Sequence, residues 1–148
     1  MKERIHTGML LEFLRQVDPF FPIPLSQKQD LAIYAEKLMA HGTLCGTVSG
    51  EGKILALAAG YTDNTPEKLG YLSMVATAAE ARRQGLAAGA VTEFLEIARS
   101  KGLCGVHLYA VASNTQAVRM YQKLGFVEYH PADEPRPDDL HLIYFFRR

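Results

Sequence analysis

Along the first third of the chain, apolar residues recur at helical spacing. Leu31, Ala32, Tyr34, Ala35, Leu38 and Met39 predict an amphipathic helix over residues 26–40 with Ser26 as its cap, and a shorter helix over 8–17 precedes it. From Thr43 the period changes. TLCGTVSG and KILALAAGYT read as two strands joined by a tight hairpin around Gly50 and Gly52, followed by a loop, TDNTPEKLG. Leu69–Thr77 (LGYLSMVAT) is an apolar run expected to form a central strand buried on both faces. Leu86, Ala90, Val91, Phe94, Leu95 and Ala98 then share one face of a helix that stops at Gly102. GVHLYAV is a further strand, 114–124 a helix ended by Gly125, and 126–129 and 140–146 the last two strands. This order predicts a mixed α/β class on one sheet: an antiparallel opening, then a strand-helix-strand unit that crosses over right-handed.

The length, 148 residues, suits one domain over 1–148 with a core that needs no disulfide or metal. Sixteen basic and sixteen acidic side chains cancel, which gives no long-range attraction for nucleic acid or an anionic membrane, and neither is expected as a partner. Cys45 and Cys104 stand alone in apolar stretches and read as buried thiols rather than metal ligands, so no metal is expected. No apolar run reaches the ~20 residues of a membrane span, and the start lacks a cleavage signal, so the expected compartment is the cytoplasm.

The segment TAAEARRQGLAAG is where the pattern turns chemical. A helix N-terminus exposes unpaired amides and positive potential and ordinarily attracts an acidic or hydroxyl side chain. Here the first turn carries Leu86, Ala87, Ala88 and Gly89, and Arg82 and Arg83 just before it add positive charge. An external anion resolves that conflict, and Gly85 with the small residues after it lets a diphosphate approach the backbone. The bland alternative is a solvated arginine pair. Neither GxxxxGK[ST] nor GxGxxG is present, so the familiar nucleotide loops do not apply.

Two segments together, YLSMVATAAEARRQGLAAGAV and SNTQAVRMYQKLGF, resemble the signature regions of the GNAT superfamily of N-acetyltransferases. Arg82, Arg83, Gln84, Gly85, Leu86 and Ala87 match its R/Q-x-x-G-x-G/A loop; Asn114, Ala117, Tyr121, Gly125 and Phe126 match its N-x-x-A-x-x-x-Y-x-x-x-G-F pattern. The resemblance implies a mostly antiparallel twisted sheet of six to seven strands with one parallel unit, flanked by about four helices. It implies acetyl-CoA as co-substrate, with the amides from Arg83 to Ala88 on the pyrophosphate and backbone at Val75, Ala76 and Thr77 along the pantetheine arm. Amides near Ala76 or Thr77 would polarise the thioester carbonyl. Ala79 stands where the family usually has proline.

By the same resemblance Tyr121 is the general acid that protonates the leaving thiolate, and Asn114 touches the coenzyme; from the residues alone Tyr121 reads as a core aromatic and Asn114 as a helix cap. No general base is identified. The strand Leu69–Thr77 has no glutamate, only Tyr71 and Ser73, and a water chain through Ser73, His107 or Tyr109 is one route for the proton; His107 also reads as an ordinary hydrogen-bonded histidine. His41, His130 and His141 are expected in or near loops and carry no motif. The acidic stretch Asp133, Glu134, Asp138 and Asp139 reads as solvated loop, or as a lure for a cationic acceptor if it folds over the cleft. The expected activity is transfer of acetyl to a primary amine, of a small molecule before a peptide, by direct attack in a ternary complex, with a homodimer possible. The alternative is a non-catalytic acyl-CoA sensor on the same fold.

Overall fold

The computed structural model describes residues 1–147. Helix α1 (Thr7–Val17) opens at His6, whose Nδ1 accepts the Met9 amide at 3.3 Å, and buries Leu10, Phe13, Leu14 and Val17. Helix α2 (Leu31–His41) starts later than the sequence suggested. Asp30, not Ser26, is its cap: Oδ1 accepts the Ile33 amide at 3.0 Å, and the carboxylate also favours the positive helix end. Ser26 lies in a separate 3₁₀ turn and donates its hydroxyl to Asp18 at 2.6 Å.

The strands β1 (Thr43–Val48) and β2 (Ile54–Tyr61) form the expected hairpin, and β3 (Leu69–Thr77) pairs antiparallel with β2. Helix α3 (Leu86–Ser100) carries the chain to β4 (Gly105–Ala110), which pairs parallel with β3. Helix α4 (Thr115–Leu124) ends at Gly125, then β5 (Val127–Glu128) and β6 (Leu140–Phe145) complete a six-stranded sheet in the order β1-β2-β3-β4-β6-β5. The mixed α/β class, one parallel pair and four α-helices match the expectation.

Each face of the sheet has its own core. Helices α1 and α2 cover Leu44, Ile54, Leu57, Ala59 and Met74, whereas α3 and α4 cover Ala58, Leu72, Val106, Leu108 and Leu142. Strand β3 changes allegiance midway. Ala59 pairs with Met74 and Gly60 with Leu72, so Ser73 is the extra residue of a bulge, and side chains beyond it point to the opposite face from simple alternation. Gly60 is required here, because a Cβ would collide with the Tyr71 carbonyl. Burial on both faces holds for Leu69 and Gly70 but fails toward Val75, Ala76 and Thr77, which are only half-buried. Cys104 is likewise half-buried rather than enclosed, while Cys45 is fully buried.

Candidate active site

The parallel ladder between β3 and β4 has only three rungs: Leu69 with Gly105, Gly70 with Val106, and Tyr71 with His107. Both strands run on past the last rung without pairing to each other, β3 to Thr77 and β4 to Ala110. The sheet is therefore split at its centre. The facing edge of β3, including Val75, Ala76 and Thr77, presents backbone groups that an extended ligand can pair with.

Past the end of β3, the chain makes a 3₁₀ turn and enters α3 through Arg82, Arg83, Gln84 and Gly85. Arg83 (φ 65) and Gly85 (φ 73) are both left-handed, a conformation that Gly85 adopts without the cost a side chain carries. No side chain caps the helix, and its first turn holds no acid. The amides of Leu86, Ala87 and Ala88 therefore have no acceptor within their own helix, and the space around Gly85 and Gly89 is open. Arg83 and Gln84 are exposed beside this opening; Arg82 lies over the Phe20 ring with its guanidinium carbon 4.4 Å from the centroid. A positive helix end, free amides and an exposed cation at one place suit a phosphate ester.

Tyr121 sits on α4 within the core that α3 covers, 7% exposed and edge-on to Phe126 with centroids 5.6 Å apart. Burial pushes its hydroxyl pKa well above the ordinary tyrosine value, so it stays protonated at neutral pH. Among the described residues its hydroxyl has no hydrogen-bond partner within the protein, yet it is not sealed off as a buried orphan. Asn114 does occupy the cap position of α4, but its side chain makes no capping bond and is left for another partner.

On the α1 and α2 side of the split, a cleft of about 920 Å³ is lined by Tyr61, Thr65, Tyr71, His107, Tyr109 and Arg136, among others. That volume suits a small molecule. Tyr61 Oη and Thr65 Oγ1 are buried in its wall without a hydrogen-bond partner. Ser73 is not available for proton transfer toward His107, since its Oγ is tied to Tyr34 Oη of α2 at 2.6 Å.

One histidine departs from the sequence reading, whereas His107 lies on a cleft-lining strand as expected. His141 is no loop residue: it lies in β6, 6% exposed, directly across the ladder from Tyr109. Its Nε2 is 2.8 Å from His107 Nδ1, and its Nδ1 is 2.7 Å from Glu134 Oε2. The loop that bears Glu134 folds back over β4 and β6. Glu134 Oε1 accepts the Tyr109 hydroxyl at 3.1 Å and the Arg136 amide at 3.0 Å. Partial burial opposes ionisation of Glu134, but the bonds from the Arg136 amide, His141 and Tyr109 outweigh it and hold the carboxyl below the usual range. Burial, and secondarily the neighbouring His141, lower the His107 pKa to about 4. Burial, and then Glu134, raise that of Tyr109 to about 12. The acidic stretch thus contributes one carboxylate to the site, through histidine rather than as a bare charge. Among the described residues no three of His, Cys, Asp and Glu converge in a metal-holding group.

The sequence profile of the acetyltransferase (GNAT) family matches residues 10–126. Among solved structures, the fold is similar to a GNAT-family acetyltransferase from Staphylococcus aureus Mu50, with a TM-score of 0.75 at 15% identity over 95% of this chain and 93% of that one. It is similar also to Arabidopsis thaliana NAA60 in complex with a bisubstrate analogue (0.74, 15%, covering 95% and 94%). PaiA N-acetyltransferase from Thermoplasma acidophilum, in complex with coenzyme A, aligns at 0.72 and 13% over 95% and 92%.

Proposed function

The chain belongs to the acetyltransferase (GNAT) family, and from that premise we propose that it transfers acetyl from acetyl-CoA to the primary amine of a small molecule by direct attack in a ternary complex. The observation that carries the reading is the central split of the sheet, opening beside the uncapped start of α3. One end offers amides to a pyrophosphate, and the free edge of β3 offers backbone to an amide-containing arm. In this reading the acetyl group lies between that edge and the cleft.

In this reading Arg83, Gln84, Gly85, Leu86, Ala87 and Ala88 hold the diphosphate, Arg82 adds charge from its seat on Phe20, and Asn114 reaches the coenzyme with its free amide. Val75, Ala76 and Thr77 pair with the pantetheine arm, and an amide at Ala76 or Thr77 supports the oxyanion. Tyr121 delivers a proton to the departing sulfur, since its hydroxyl is protonated at neutral pH. The cleft of about 920 Å³ beside the split is of a size for a compact acceptor, which favours a small molecule over a peptide.

Calorimetry with acetyl-CoA tests the binding half. The wild type binds, and Arg83→Glu weakens affinity ~10-fold or more, the size expected for losing a charge-assisted contact and gaining a repulsion. Thiol release against a panel of amines tests the other half. Tight binding with no release from any amine would favour the non-catalytic sensor, and no binding would dismiss both readings.

A further inference from the structure

The chain His107, His141, Glu134 is held together by the two short contacts, and its geometry fixes where the protons sit. Glu134, an ionised acceptor, takes its Oε2 bond from His141 Nδ1–H. In the neutral chain His141 Nε2 is then a lone pair, so His107 must donate from Nδ1, and His107 Nε2 carries the free lone pair. His107 lines the cleft and stands on the last rung before the sheet splits. Adding one proton at His107 Nε2 reverses the middle bond: His107 Nδ1–H passes to His141 Nε2, and the positive charge comes to rest against the Glu134 carboxylate.

We infer that His107 is the base that deprotonates the acceptor ammonium, with His141 and Glu134 as positioning residues that draw the proton away from the cleft. The inference rests on the acetyl-transfer reading above. The balance closes: the ammonium gives one proton to His107 Nε2, and the neutral amine attacks the thioester carbon. The carbon–sulfur bond breaks as the amide forms, the thiolate is protonated through Tyr121 at the expense of the second amine proton, and one proton per turnover leaves for solvent.

Physical chemistry explains why a second histidine is needed. A half-buried imidazole is a poor proton acceptor on its own, and burial pulls His107 down to about 4. Passing the charge one ring further places it 2.7 Å from a carboxylate. The surroundings hold this arrangement. Tyr109 stacks on His141 at 4.2 Å between centroids and Tyr129 meets its edge at 5.0 Å, while Tyr71 packs on His107 at 5.3 Å. The titratable and charged groups around the chain are Tyr71 on β3, Tyr109 on β4, Tyr129 beyond β5, and Glu134 and Arg136 in the loop, with Lys2, His41, Tyr61 and Asp63 lining the same cleft; the Arg136 guanidinium lies over the Tyr109 ring at 4.7 Å.

The test uses the full-length protein and its His107→Gln, His141→Asn and Glu134→Gln variants, with thiol release followed from pH 6 to 10 and acetyl-CoA affinity measured in parallel. His107→Gln should lose ~10²–10⁴-fold in rate at pH 7, with unaltered acetyl-CoA affinity. Its rate should rise about tenfold per pH unit toward the amine's own pKa, near 10 for an alkylamine, because only free amine then reacts. Glu134→Gln and His141→Asn should show the same profile with a smaller deficit, which a merely structural loss would not produce. Independently of any acceptor, ¹⁵N–¹H spectra of the imidazoles at pH 7 should show both protons on Nδ1. A proton on His107 Nε2 in the neutral protein, or three variants with wild-type rate profiles, would overturn the relay. Failure of the wild type to bind acetyl-CoA would instead sink the reading beneath it.

Discussion

Tyr121 shows how one residue supports two descriptions at once. It packs against Phe126 as a core aromatic does, and burial alone, with no hydrogen bond from the protein, sets the direction of its hydroxyl pKa. Tyr121→Phe keeps the packing and removes the proton. The variant should fold with a Tm close to wild type, bind acetyl-CoA within about threefold, and lose ~10²–10⁴-fold in thiol release. Equal loss of binding would mean the hydroxyl holds the coenzyme rather than serving the leaving group. His107 gives a second prediction at this scale, in stability. Its folded pKa, about 4, lies below the ordinary 6.5, so the unfolded chain binds the extra proton between those values. Stability should therefore fall as pH drops from about 6.5 through 4. Glu134, held below its ordinary value, contributes above that value and is lost only on further acidification. Thermal melts from pH 7 to 4 should show the decline, and His107→Gln should flatten its upper part. The position of the arginine pair before α3 and of Tyr121 on α4 was readable from local motif and spacing. His141 was not: it is a single polar residue in LHLIY, and only the register of β6 on β4, set by pairing across a long loop, brings it to His107. The available signal was the alternation itself, which makes an inward histidine on each of two strands a candidate pair.

Helices α2 and α3 form a natural contrast. Helix α2 has an acidic cap in Asp30; α3 has a left-handed glycine, no cap and arginines before it. Asp30→Ala should cost about 1 kcal/mol of stability, a lower Tm with unchanged acetyl-CoA affinity. Gly85→Ala should strain the turn by about 1 kcal/mol and also weaken acetyl-CoA binding, because the same φ of 73° aims the following amides. If it lowered Tm alone, the turn would be a mere connection. Every α-helix and strand was anticipated from the sequence, and α2 and α3 directly from periodicity, since amphipathic faces follow from the burial such helices must achieve. Boundaries were less so. Helix α2 began later because an aspartate outcompeted a serine for the cap, and the β3 bulge, invisible to strict alternation, left the outer half of that strand partly open to solvent.

Across the whole molecule, the decisive feature is a sheet with two separate cores and a gap at its centre. Helices α1 and α2 seal one face and α3 with α4 the other, so β3 and β4 can part beyond three rungs without exposing either core. The gap joins two surfaces of different character: an electropositive helix start on one side and a cleft of hydroxyls and imidazoles on the other. That juxtaposition was legible only in outline. Motif spacing fixes the order of the strand, loop and helix, whereas the length of the parallel ladder depends on long-range packing. The direct test is to titrate ¹⁵N-labelled protein with acetyl-CoA and follow its backbone amides. Saturable shifts concentrated at Val75, Ala76 and Thr77 and at Leu86, Ala87 and Ala88 are expected; saturation with those six amides unmoved would contradict the account.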